Sequence, residues 1–161
     1  MPAFGIGAAS ASVVGYYLGK GNPDKSLIAI KDSMRYSFLF MGSCALCFIF
    51  LTKPIISIFT SNLDIINVTI PILKFFALIS IIESIALVLM CSLEGAGDLK
   101  FVSRITLIYM WIIIIPFCYV TGIYLKVGLW GPWFSWLIGL LFLLFALIYR
   151  VAKGNWRLIQ I

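Results

Sequence analysis

Histidine is absent from this 161-residue sequence, and only six carboxylates are spread along it. A zinc or di-iron site therefore has almost nothing to build from, and Ser-His-Asp and Cys-His catalysis are excluded outright. Charge of either sign is scarce: Asp, Glu, Lys and Arg make up 11% of the chain, against about 25% in soluble domains. Together with 63% hydrophobic residues and a mean hydropathy of +1.12, that scarcity excludes disorder, collagen-like repeats and a small disulfide scaffold. It places the chain among integral membrane proteins. The net charge of +6 and pI of about 9.3 do not indicate a nucleic-acid partner, because Lys and Arg fall at the ends of apolar runs. Cys44 and Cys47 form a C-x-x-C, but it lies inside the apolar run 38–51, and Cys91 and Cys118 sit in similar runs. All four are read as small hydrophobes that pack or face lipid. No enzymatic chemistry is expected.

A spanning helix needs about 20 mostly apolar residues. Five such stretches are read along the chain, at about 2–18, 26–52, 64–93, 101–124 and 128–149, giving a single all-α membrane domain. The first ends in the breaker cluster Gly19-Lys20-Gly21-Asn22-Pro23-Asp24. Lys53-Pro54 is expected to stop the second, leaving 55–59 as an interfacial turn, and Asp64 is read as the N-cap of the third. Connections are short, so neighbours in sequence should pack antiparallel. Lys20, Lys25, Lys31, Arg35, Lys100, Arg104, Arg150, Lys153 and Arg157 follow the odd-numbered spans, whereas the other loops hold only Lys53 and Lys126. The positive-inside rule then puts the N-terminus outside and the C-terminus in the cytoplasm. Trp130, Trp133 and Trp136 near the start of the fifth span, with Trp156 in the tail, suit interfacial aromatic belts. Gly5, Gly7, Ala8, Ala9, Ala11, Ser12 and Gly15 on the first span predict close helix packing. That span is thin at its outer end and has neither the basic region nor the cleavage site of a signal peptide. It is read as a helix lacking its first turn or two.

Glu83 most needs an explanation. It falls near the middle of the third span among Ile79, Ile81, Ile82, Ile85, Ala86 and Leu87, where a charge costs about 2.5–3.5 kcal/mol on insertion scales. Such a carboxylate either marks an ion path or is protonated and hydrogen-bonded to a neighbouring helix. Lys74 is not its partner, since nine residues correspond to about 900° of rotation and about 13 Å of rise, on opposite faces. Lys74 is expected to snorkel to the interface. Pro71 near the start of the third span and Pro116 inside the fourth each free a carbonyl about four residues back. Breaks of this kind serve either as bending points beside a cavity or as packing kinks.

Residues 1–23 (MPAFGIGAASASVVGYYLGKGNP) resemble the Gly/Ala-rich helix and glycine-rich turn of the multidrug and toxic compound extrusion (MATE) transporters. Residues 93–100 (LEGAGDLK) resemble the turn after that family's tenth helix. Residues 111–116, 128–133 (GLWGPW) and 153–156 (KGNW) resemble its last two helices and tail. The resemblance covers essentially the whole chain. It implies helices eight to twelve, most of the C-terminal lobe of a twelve-helix antiporter of the inner (plasma) membrane. Such antiporters expel amphipathic cationic molecules in exchange for H⁺ or Na⁺. Besides these ligands and the lipid bilayer, the implied partner is an N-terminal lobe or a second half-length chain. No cofactor is implied beyond the coupling ion. Some members carry an acidic cation-site residue where Glu83 stands, eleven residues before Glu94, which makes Glu83 the coupling-ion residue; Pro116 would contribute to bending. A Met-Pro also occurs inside the family's eighth helix, so Met1 is read as an internal methionine.

Three positions depart from the family pattern. Glu94 stands where an Arg usually precedes the turn, Ile114 where an Arg is frequent, and Tyr16 where a Gln is common. They point to a divergent subfamily or a decaying copy. Without an opposing lobe, the isolated chain is not expected to transport. Two other functions remain open. A flippase for lipid-linked sugars of the same superfamily should carry more charge around its cavity. A non-transporting membrane subunit or decayed fragment should tolerate Glu83→Gln.

Overall fold

A computed structural model describes residues 2–126, 128 and 130–158. Among these residues the chain is helical, with no strand. Its elements are α1 (Pro2–Gly19), α2 (Pro23–Phe59), α3 (Leu63–Gly95), α4 (Leu99–Tyr124), α5 (Trp130–Lys153) and a closing 3₁₀ turn (Asn155–Leu158). The all-α membrane class expected from composition is the one observed. Four helices, α2 to α5, are long and apolar enough to cross a bilayer. The first expected span forms as α1, an 18-residue helix diluted by Gly, Ala and Ser.

Two helix ends also differ from expectation. α2 does not stop at Lys53-Pro54 but runs through to Phe59. Pro54 cannot donate to the carbonyl of Phe50, yet the apolar sequence continues past it and a bilayer favours keeping the backbone helical. Two residues earlier, Thr52 Oγ1 donates to the carbonyls of Phe48 at 2.5 Å and Ile49 at 3.2 Å. α3 is capped by Asn62 and not by Asp64: Asn62 Oδ1 accepts from the Asp64 backbone N–H at 2.9 Å. Asp64 lies in the first turn, where its charge meets the helix dipole.

α3 is the central helix, packed against α1, α2 and α5, while α4 reaches the bundle chiefly through α5. Its sequence is apolar all round, as a helix with protein or lipid on every side should be. The small-residue stripe of α1 lets its backbone approach α3 closely. A Cβ on Gly7 would lie 2.9 Å from Cys91 Sγ, and one on Gly15 would lie 2.9 Å from the carbonyl oxygen of Gly95. Buried in this seam, Ser92 Oγ donates to the carbonyl of Val88 at 2.6 Å, which leaves Ser10 Oγ to donate to Ser92 Oγ at 2.7 Å.

The core is densest toward one end, where Val14, Ile30, Leu93, Val102 and Leu147 belong to the same buried cluster as Trp156. This is the end that carries most of the Lys and Arg residues. Trp156 does not face outward as a residue of an aromatic belt would, contrary to expectation. Its side chain is 0% exposed and its Nε1–H donates to the carbonyl of Val151 at 3.0 Å. The cause is Gly154, whose φ of +74° turns the tail back over the end of α5. In the same region Arg150 Nε donates to Asp98 Oδ2 at 2.6 Å and Nη2 to Oδ1 at 3.1 Å. The guanidinium stacks 4.9 Å from the Phe101 ring centre. Arg157 Nη1 reaches Asp24 Oδ1 at 3.3 Å. Three connections of the chain are thus tied together at the basic end.

The opposite end is looser. α4 passes Pro116 by changing its hydrogen-bond register: Ile108–Ile114 and Val120–Tyr124 form wide π turns on either side of Ile115–Tyr119. The wider turns accommodate a residue that lacks a donor and crowds the carbonyl four positions back. None of these residues is buried.

Candidate functional site

Glu83 projects from the middle of α3 into a cavity of about 360 Å³ built by α1, α2, α3 and α5. The volume lies within the range of about 300–1,000 Å³ usual for small-molecule pockets. Aromatic walls come from Phe4 on α1, Phe48 on α2, Phe76 on α3 and Trp136 on α5. Polar groups are few. Ser80 and Ser84 line the same cavity, but their hydroxyls donate back to the carbonyls of Ala77 and Ile81, each at 2.8 Å. They therefore present oxygen lone pairs and no free proton. Two ion pairs form among the described residues, Asp98–Arg150 and Asp24–Arg157, and neither involves Glu83. Lys74 is exposed. The cavity thus offers one carboxylate and two hydroxyl oxygens inside an aromatic and aliphatic shell, a donor set suited to a cation with an apolar body.

The wall at Trp136 is built from several layers. Its ring lies 5.8 Å from that of Phe76 and 5.7 Å from that of Trp133, and its Nε1–H donates to Tyr109 Oη on α4 at 3.0 Å. Sequence reasoning placed Trp136 in an interfacial belt and did not single out Tyr109. The pairing spans 27 residues and two helices, and no local pattern announces it. Pro71 and Pro116 are not brought to the cavity. Both are exposed, and Pro71 lies twelve residues, about 18 Å along the axis, before Glu83. All four cysteines are free thiols; Cys44 lines the cavity and Cys47 is exposed.

A wider groove of about 560 Å³ runs between α1 and α2 toward the basic end. It carries Lys25 and Asp32 among its lining residues, so opposite charges offset each other there, unlike the single charge of the Glu83 cavity.

Residues 1–120 match the MatE family model. The chain belongs to the MatE family. Among MatE relatives, the probable multidrug resistance protein NorM of Thermotoga maritima is 32% identical over 131 residues, covering 81% of this chain and 28% of its own length. The uncharacterized transporter YisQ of Bacillus subtilis is 27% identical, covering 74% of this chain and 26% of its own length. The multidrug resistance protein MdtK of Photorhabdus laumondii is 28% identical over 73% of this chain and 26% of its own length. This MatE chain therefore spans about a quarter of the length of the curated relatives it matches.

Proposed function

We propose that this chain is part of a cation-coupled multidrug antiporter in which Glu83 binds H⁺ or Na⁺ and the surrounding cavity receives an amphipathic cation. The observation that carries this reading is a carboxylate without an ionic partner among the described residues, set in an aromatic cavity of about 360 Å³. A coupling ion and a cationic drug would satisfy the same negative charge. Occupancy by one would then disfavour the other, which is the exchange an antiporter needs. The names of the NorM and MdtK relatives agree with a drug as cargo. The sparse charge of the cavity, Glu83 alone among its lining residues, favours a hydrophobic cation over the pyrophosphate of a lipid-linked sugar. In this reading the chain sits in the cell's inner (plasma) membrane with its basic end in the cytoplasm. It works against a second lobe, supplied by an N-terminal half or by another half-length chain.

The test is drug movement in proteoliposomes containing both lobes, driven in turn by an imposed pH gradient and an imposed Na⁺ gradient. Glu83→Gln is expected to abolish the response to whichever gradient drives the unsubstituted protein, and Glu83→Asp to retain part of it. Undiminished gradient-driven movement in Glu83→Gln would overturn the assignment and leave a non-transporting structural role for this carboxyl.

A further inference from the structure

Of the four aromatic side chains that line the Glu83 cavity, Trp136 alone has a polar atom, and that atom is held from a helix outside the wall. The holder is Tyr109, whose hydroxyl accepts the indole N–H at 3.0 Å. Tyr109 has a prepared seat. Gly139 on α5 is buried, and a Cβ there would lie 3.0 Å from Tyr109 Cε2 and 2.9 Å from Ile114 Cγ1. The tyrosine ring therefore packs closely on α5 because residue 139 has no side chain. Tyr109 also belongs to the first π turn of α4, Ile108–Ile114, the start of the segment that carries no buried residue.

We propose that Tyr109 is a positioning residue for ligand selection: its hydroxyl fixes the plane of Trp136 as an aromatic wall of the Glu83 cavity and links that wall to α4. The inference rests on the cavity reading given above. A carboxylate supplies attraction for any cation, whereas an oriented indole face distinguishes aromatic cations from aliphatic ones of equal charge. Without the tyrosine hydroxyl, a half-buried N–H loses its acceptor, and the ring turns to find another. The cavity then keeps its charge and loses its preference.

The experiment measures equilibrium binding of tetraphenylphosphonium and tetrabutylphosphonium to the 161-residue chain in lipid nanodiscs, alongside thermal unfolding. Tyr109→Phe keeps the ring on Gly139 and removes only the hydroxyl. It is expected to weaken tetraphenylphosphonium binding about three- to tenfold, the scale of one hydrogen bond. Tetrabutylphosphonium binding should change less than about twofold, with the unfolding midpoint unmoved. In a Trp136→Phe background, Tyr109→Phe should have no further effect, because the N–H it serves is gone. Unchanged binding of both cations, equal weakening of both, or additive effects of the two substitutions would overturn the proposal. Glu83→Gln separates the two levels of argument. If the unsubstituted chain shows no Glu83-dependent binding, the cavity reading fails and this inference fails with it. If binding depends on Glu83 but not on Tyr109, this inference alone fails.

Discussion

A Cβ built on Gly95 would lie 2.3 Å from the carbonyl oxygen of Ala11 and 2.6 Å from its Cα, so at this point α3 has backbone of α1 where a side chain would be. Backbone cannot rotate away as a flexible side chain can. Gly95→Val is therefore expected to force α1 off α3, break the Ser10–Ser92 hydrogen bond and destabilise the fold by about 1–3 kcal/mol or more. A lowered midpoint of thermal unfolding in detergent would register it. The α1 half of this seam is legible in the sequence, because a run of Gly, Ala and Ser in an apolar helix has few uses besides close approach. The α3 half is not, since Ser92 lies 82 residues from Ser10 and a single Gly before a turn reads equally well as a helix end. The same asymmetry governs the candidate site. Glu83 stands out in one dimension because a carboxylate in an apolar run is anomalous. Its walls do not, because Phe4, Phe48, Phe76 and Trp136 come from four helices in a chain where 16% of residues are aromatic.

Helix existence follows from apolar run length, and helix ends depend on finer competition. Pro54 reads as a stop because proline removes a donor and crowds the preceding turn. In α2 that local cost is outweighed by the requirement that backbone within a bilayer stay hydrogen-bonded. Trp156 reads as an interfacial anchor from its place after the last span, and only the left-handed turn at Gly154 reveals that it folds back into the core. The tail is therefore a packed element. Trp156→Ala should cost about 3–5 kcal/mol and free the tail, so that limited proteolysis cleaves after Lys153 or Arg157 in the variant and spares the unsubstituted chain. Arg150→Met, which leaves Asp98 buried without its cation, should destabilise by about 2–3 kcal/mol. That is less than the about 3–5 kcal/mol for breaking a fully buried pair, because 23% of the Arg150 side chain remains accessible. Asp98→Leu combined with Arg150→Met should recover much of that loss.

Across the whole molecule, charge and packing are polarised along one axis. The basic end carries the tight core, both ion pairs and the buried Trp156. The other end carries Pro54, Pro71, Pro116 and the π turns of α4. In the function proposed above, this axis stands with its basic end in the cytoplasm, as the positive-inside rule favours. In a variant with Cys44, Cys47, Cys91 and Cys118 replaced by Ser, an impermeant thiol reagent added to intact cells should label Ser61→Cys. It should reach Lys153→Cys only after permeabilisation, and the reverse pattern would invert the topology. The polarity also has a history in time. Asp98 and Arg150 are separated by 52 residues, which a ribosome adds in about 3–10 s at about 5–20 residues per second. For that interval the α3–α4 turn waits with a carboxylate that has no guanidinium to receive it, and the seat of Trp156 stands empty for six residues more. A nascent chain halted before Arg150 displays an unmet charge and an open apolar seat, two features that mark the basic end as unfinished.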